Sequence, residues 1–318
     1  MRYVWKSLLV LTLTTAVTPC GCRPSTVPET TKSPKSSDSS RVERRKTDWQ
    51  EAGLIGAVKS VRTENAEYAD RYGTWVEGRR ETFEEVSYNL SGNKVEHDLY
   101  ANGLLAWKYL YTYNANRNEI EVTGYTADGS LDEKIVHLYD TGGHRIRMTR
   151  YDADGKLRDK RISVFDTEGN EIQATEYDAD GGVGANGKDV YKYDAKGHRI
   201  RCDQYDADGK SVGKKIYTYD GKGNNLKVVL YDAKGHLQDQ QAYSYDSRGN
   251  QDEYCWTNAD GSLVLKESYS YEYDTTGNWT KKVTSEWVTK FGESFFEPNK
   301  ATFRRIVYYK REAKPGGL

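Results

Sequence analysis

From Tyr88 to Gly277, apolar and polar positions alternate in short runs, and each run ends in a turn of fixed composition. Leu226, Val228 and Leu230 fall on one face of such a run, as do Ile200 and Cys202, Ile146 and Met148, and Ile120 and Val122, with Arg, Lys, Gln and Thr between them. A period of two over strand-length segments predicts strands half buried on one side. Two kinds of turn separate them. The first, Tyr-Asp-x-x-Gly-Asn/His, begins at Tyr88, Tyr113, Tyr139, Phe165, Tyr193, Tyr219, Tyr245 and Tyr273. The second, Tyr-Asp-Ala-Asp-Gly, begins at Tyr100, Tyr125, Tyr151, Tyr177, Tyr205, Tyr231 and, in degenerate form, Thr257. Every step from first to second turn is 12 residues, whereas the return steps are 13, 14, 14, 16, 14, 14 and 16. A fixed period marks a repeat architecture, and only the variable half of this one accepts insertions.

In each turn the Asp can accept from amides two or three residues on, and the Gly can take a positive φ, so each turn closes a hairpin. With the flanks this gives about 18 strands, an antiparallel meander with first-type turns along one edge and second-type turns along the other. Open sheets rarely exceed about ten strands without curling. The expectation is therefore an all-β single sheet, rolled or spiralling or forming an open or closed barrel, with its apolar face inward. Tyr217 and Tyr219, Tyr243 and Tyr245, and Tyr271 and Tyr273 each put two rings on one face, predicting a tyrosine ladder. Thr82-Phe83-x-x-Val86-x-Tyr88 recurs as Thr302-Phe303-x-x-Ile306-x-Tyr308, and both stretches follow an aromatic-Gly pair, Tyr72-Gly73 or Phe291-Gly292. Residues 54–88 and 279–309 read as caps over the open edges.

Composition narrows the picture. Of 318 residues 36% are hydrophobic and 30% charged, with 26 Tyr against 6 Phe, which suits a sheet with one wet face better than a thick core. The 47 basic and 48 acidic residues are interleaved, so there is no basic stripe for nucleic acid.

Arg2 and Lys6 flank an apolar run, Leu8 to Val17, too short for a permanent span and placed as an export signal. It ends at Pro19-Cys20-Gly21-Cys22, which resembles the lipobox of bacterial lipoproteins, where a Cys is acylated and becomes the first mature residue. Gly21 points to Cys22 as that residue; Pro19 stands where the lipobox usually has Leu. A cleaved secretory signal is the other reading. Residues 1–22 are thus a signal peptide, 23–48 a Ser/Thr/Pro/Lys/Arg tether that cannot bury enough apolar surface to fold, 49–309 the β domain and 310–318 a tail. A coil of that length reaches roughly 25 to 30 Å.

Tyr-Thr-Tyr-Asp-Gly-Lys-Gly-Asn at 217–224 and Tyr-Glu-Tyr-Asp-Thr-Thr-Gly-Asn at 271–278 resemble the YD repeat of RHS and teneurin-type proteins, over roughly residues 80–280. The resemblance implies a spiralling β-sheet, export or surface location, and contact with carbohydrate or partners, or a shell around a toxin. The chain is far shorter than such a shell. Tyr100-Ala-Asn-Gly103 suggests a MORN-like short-hairpin repeat as the alternative, against which the regular turn Asp argues.

Turn chemistry accounts for the Asp-x-Asp-Gly pieces, including Asp152/Asp154 and Asp206/Asp208. The weak metal candidate is Asp178, Asp180, Asn186 and Asp189, oxygen side chains at the first, third, ninth and twelfth positions of one Gly-rich loop, without the glycine and terminal Glu of an EF-hand. His144, His198 and His236 flank turns; His144 and His198, two units or roughly 19 Å apart, do not meet at a zinc unless the sheet rolls sharply. Cys202 and Cys255 lie about two units apart, beyond disulfide reach. No nucleophile elbow, phosphate loop or His-Glu-x-x-His is present. Trp75, Trp107, Trp256, Trp279 and Trp287 remain as ligand-contact candidates, able to meet sugar or protein, or else to plug the ends and fill the rolled interior. The functional expectation is a non-catalytic, lipid-anchored protein of the bacterial envelope, at the outer membrane or surface, otherwise secreted or periplasmic. It would need no cofactor and would bind carbohydrate or protein. Alternatives are a glycan-processing enzyme and an accessory or immunity partner of an RHS-type toxin system.

Overall fold

The computed structural model describes residues 46–310, except the side chain of Asn186. A single-turn helix, α1 (Asp48–Glu51), precedes nineteen strands. The first five are β1 (Val58–Arg71), β2 (Thr74–Glu77), β3 (Glu81–Tyr88), β4 (Lys94–Ala101) and β5 (Leu104–Tyr113). There follow β6 (Glu119–Thr126), β7 (Leu131–Tyr139), β8 (Arg145–Asp152), β9 (Leu157–Phe165) and β10 (Glu171–Asp178). Next come β11 (Val183–Tyr193), β12 (Arg199–Tyr205), β13 (Ser211–Tyr219), β14 (Asn225–Asp232) and β15 (Leu237–Tyr245). The last are β16 (Gln251–Asn258), β17 (Leu263–Tyr273), β18 (Trp279–Lys290) and β19 (Glu293–Tyr308).

All neighbours are antiparallel, and the sheet closes. β1 pairs with β19 from Val58↔Tyr308 to Glu67↔Lys300, and with β3 from Ser60↔Ser87 to Asn65↔Glu81. β2 pairs only with the outer end of β1 and stands outside the ring, leaving a closed barrel of 18 strands. The two ends expected to shield open edges instead pair with one another, so the ring itself has no edge to cap and only the short β2 keeps one. At about 4.8 Å per strand and a tilt near 40°, a circular ring of this size is roughly 35 Å across, too wide for side chains to fill.

The turns explain the repeat. In the turn after β13, Asp220 Oδ1 accepts from Lys222 N (2.8 Å) and Asn224 N (2.9 Å), and Asn224 Nδ2 donates to Asp220 Oδ2 (2.8 Å). His144, His198 and His236 take the place of that Asn, each with Nδ1 about one hydrogen bond from its turn Asp, at 2.9, 3.0 and 3.1 Å. Gly223, with φ 90°, completes the turn by donating to the Asp220 carbonyl.

Beside every first-type turn the register slips by one residue. Ile200, unpaired between Arg199 and Arg201, is 37% exposed, whereas Cys202 is 4% exposed. The bulge therefore takes Ile200 off the buried face that simple alternation assigns it, and Ile172 follows the same course at 36%. The carbonyls next to the bulges are held by tyrosine hydroxyls. Tyr139, Tyr193, Tyr219, Tyr245 and Tyr271 donate to the carbonyls of Glu119, Glu171, Arg199, Asn225 and Gln251, each at 2.8 Å. The tyrosine ladder is thus a ladder of hydroxyl-to-carbonyl bonds, which Phe could not make. At Phe165 the ring stacks on His144 instead, at 4.9 Å.

Register divides side chains between two faces. One carries Val61, Leu99, Val122, Ala174, Tyr191, Cys202, Val228 and Tyr254, all buried; the other carries the exposed Leu110, Leu138 and Val164. On the first face side chains reach over an intervening strand: Arg161 of β9 to Tyr191 of β11 (3.1 Å), Arg199 of β12 to Glu171 of β10 (3.4 Å). That is the concave, inner face. It is not the apolar lining the sequence suggests, since Arg161, Arg199, Lys282, Arg304 and Glu84 stand among its aromatics. The outer wall carries Lys134, Arg147, Lys160, Lys192, Arg201 and Lys227 at its outward register positions, unlike the apolar belt of a lipid-facing barrel.

Candidate functional site

The inner wall of β4 to β9 holds a recess of about 500 Å³. Its aromatic side is built by one strand: Trp107 and Tyr109 alternate with Lys108 and Leu110 along β5, and Tyr111 follows. Register sets Tyr109 opposite Gly124 and Tyr111 opposite Val122. A Cβ at Gly124 would lie 2.9 Å from Tyr109 Cε1 and 3.2 Å from Glu133 Cγ, so glycine is what lets the ring lie against the wall. Leu99, Ile135 and Met148 supply the aliphatic remainder.

The charged side comes from β4 and β7 to β9, with Glu84 of β3 standing behind His97 in an adjoining recess. Glu133 accepts from Arg158 Nη1 (3.2 Å) and lies 3.7 Å from Arg150 Nε, while Arg150 Nη1 reaches Asp159 (3.2 Å). Lys94 holds its ammonium 4.8 Å above the Tyr111 ring. His97 Nε2 and Glu84 Oε2 are 3.0 Å apart. Burial favours the neutral Glu84 acid, but His97 and the Thr63 hydroxyl outweigh it and hold the carboxyl below its usual range. Burial, then the nearby Arg145, push the His137 imidazolium down to about 4; its Nδ1 lies 3.1 Å from the Glu119 carbonyl and 3.3 Å from the Glu119 carboxylate, which both favour the cation and oppose this shift. Burial raises Tyr109 to about 12. The result is a row of rings facing a mixed-charge border.

α1 lies beside the recess, next to Lys94 of its lining. Its Asp48 Oδ2 accepts from Lys94 N and the Tyr113 hydroxyl, each at 2.6 Å, and Trp49 packs beside Tyr88 over Gly92. Thr47 and Asp48, assigned to the tether by composition, therefore belong to the domain. Two adjoining recesses of about 410 and 360 Å³ lie beneath the helix and share Glu119 with the main one.

Of the five tryptophans singled out, Trp107 alone lines this recess. Trp279 lies under Arg304, 3.6 Å from the guanidinium, with its edge to Tyr271, which is a packing role. Trp287 meets Phe296 edge-on at 4.9 Å, with Lys266 above it. Trp75 lies on β2 outside the ring and is 36% exposed. Trp256 faces the lumen with Gln241 opposite, and its indole Nε1 is buried without a protein partner. Asp178 and Asp180 serve their own turn, while Asp189 turns to Tyr191 (3.2 Å) and Gln204 (3.4 Å); the Asn186 side chain lies outside the described residues. Among the described residues no three His, Cys, Asp or Glu side chains converge. Cys202 and Cys255 are buried thiols on β12 and β16, not joined to each other, and burial pushes the Cys202 thiol up to about 12. His97, His137, Arg150 and Arg158 are the site residues that sequence reasoning missed. The run Trp107-x-Tyr109-x-Tyr111-x-Tyr113 was the signal that could have found their neighbourhood.

No family model and no curated protein sequence matches the chain. Among solved structures it is similar to a porin-like protein from Bacteroides uniformis, at 11% identity over 80% of this chain and 99% of that one, with a TM-score of 0.42. It is also similar to part of a TcdB2-TccC3-Cdc42 complex, at 11% identity over 80% of this chain and 15% of that one, with a TM-score of 0.28. Likenesses this low assign neither a family nor a role.

Proposed function

We propose that this is an exported, non-catalytic binding protein of the bacterial envelope that takes carbohydrate in the inner-wall recess. The observation that carries the reading is the row Trp107, Tyr109 and Tyr111 facing Arg150, Arg158, Glu133 and His97 across a space of about 500 Å³. Flat rings cover the apolar faces of a sugar, and the border groups meet its hydroxyls. Glu133 is engaged by two guanidiniums, which suits a fixed counter-charge better than an acid that must change protonation. The charged outer wall suits a water-facing barrel held by a lipid on Cys22 and the tether, and the repeat is read as a short member of the YD type.

A glycan array followed by calorimetry on the chain tests the recess. Trp107→Ala should weaken the best saccharide about tenfold or more with the unfolding midpoint nearly unchanged. Retention of no saccharide, or equal affinity in the variant, overturns the reading. The anchor is tested separately: labelled fatty acid should enter the parent and not Cys22→Ala.

A further inference from the structure

Two hairpins outside the repeat end alike. β1 turns into β2 through Arg71-Tyr72-Gly73, and β18 into β19 through Lys290-Phe291-Gly292: a base, an aromatic, a glycine. Both aromatics are left-handed, with φ 57° at Tyr72 and 55° at Phe291, and both rings stand wholly in solvent. An aromatic side chain is sterically disfavoured there. The same chain shows what this turn holds when only the turn matters: Asn102-Gly103, with φ 52° and 75°, joins β4 to β5. Turn geometry therefore does not select Tyr72 or Phe291. Asp70 Oδ1 braces the first turn by accepting from Gly73 N (2.7 Å), but neither ring packs against the protein, and strain kept at two corresponding places for two solvent-held rings points to a contact outside the chain.

The chemistry of that contact follows from the tips. Each is one ring on a narrow ribbon, without a surrounding groove to match a shaped partner. Exposed Val76 and Phe295 extend the apolar character of the two ribbons. A bilayer interface accepts isolated aromatic rings at head-group depth, and a cation beside the ring meets lipid phosphate. Arg71 is exposed, whereas Lys290 is bonded to Glu297 at 2.7 and 2.6 Å, so Arg71 is the stronger phosphate contact. We propose that the Tyr72 and Phe291 tips are points of contact with an anionic lipid surface, independent of the recess and of any acyl group.

The test is flotation of residues 23–318, which lack the export signal and the acylated Cys, with vesicles of phosphatidylcholine and phosphatidylglycerol at 4:1. The parent should float, and the double variant Tyr72→Asn, Phe291→Asn should float about tenfold less. Its unfolding midpoint should be equal or higher, because Asn is at home in this turn. Arg71→Ala should lower flotation with the mixed vesicles and leave it unchanged with phosphatidylcholine alone. Failure of the parent to float, equal flotation of the double variant, or a loss accompanied by a lower midpoint overturns the proposal. Saccharide titration of the same variants should be unchanged, which separates this contact from the recess.

Discussion

Asn278 holds Ile55 by both of its backbone polar groups: Ile55 N donates to Asn278 Oδ1 and Asn278 Nδ2 donates to the Ile55 carbonyl, each at 2.8 Å. The same Nδ2 lies 2.7 Å from the Tyr308 hydroxyl, which donates to Asp274 at 2.5 Å. One buried amide thus ties the entering segment, the last first-type turn and the last strand together. Asn278→Ala leaves the Ile55 amide and carbonyl without partners and should cost about 2 to 4 kcal/mol, measured by urea unfolding. At Asn224, whose Nδ2 serves its own turn Asp, the same change should cost about 1 kcal/mol.

Acidification should weaken the fold through His137. Its folded pKa, about 4, lies below the unfolded value of roughly 6.5, so the unfolded chain binds the proton more readily. Stability is therefore fully present above the unfolded value and is lost as pH falls between the two. From pH 7.5 to 5 protonation of His137 removes at most about 2 kcal/mol, because the Glu119 carboxylate 3.3 Å from Nδ1 steadies the cation in the fold. Unfolding midpoints across that window should fall for the parent and slope less for His137→Gln.

Glycines of positive φ should differ in what they tolerate. Gly187 has φ 60°, and a Cβ there would lie 1.9 Å from the Tyr205 carbonyl oxygen; Gly155 has φ 78° with nothing within 4 Å. Gly155→Ala should cost about 1 kcal/mol, and Gly187→Ala more than about 3 kcal/mol because the β11–β12 backbones must part. Thermal unfolding of the two variants checks the difference.

The strands and turns were legible because local chemistry fixes them: Asp220, Gly223 and Asn224 specify their turn with no help from the rest of the chain. Bulges at Ile172 and Ile200 were not, since an extra residue in one strand leaves the alternation of its own sequence unbroken and shows only against the partner. A closed barrel was among the shapes the strand count allowed, but the choice between open and closed could not be read for a related reason. The Thr-Phe likeness between residues 82–88 and 302–308 announces two similar ends, but not that β1 and β19 are complementary to each other. The recess depends on both. His97, Tyr109, Gly124, Glu133 and Arg150 come from five strands and look like ordinary alternating positions until curvature turns them toward one space. Trp107 could be singled out by residue type alone, whereas its neighbours could not.

The seam between β1 and β19 joins residues as distant as Asn65 and Thr302, 237 positions apart. A chain made from its N-terminus leaves β1 exposed on both sides for part of that time: β3 can join early, but β19 is the last strand to arrive. Until then the growing sheet has two unsatisfied margins, each able to recruit a strand from another chain. A polypeptide that stops short of β19 therefore keeps most of its local hairpins and cannot become a ring. The final strand acts as a completeness check, and a prematurely ended product should be recognisable by self-association rather than by loss of β structure.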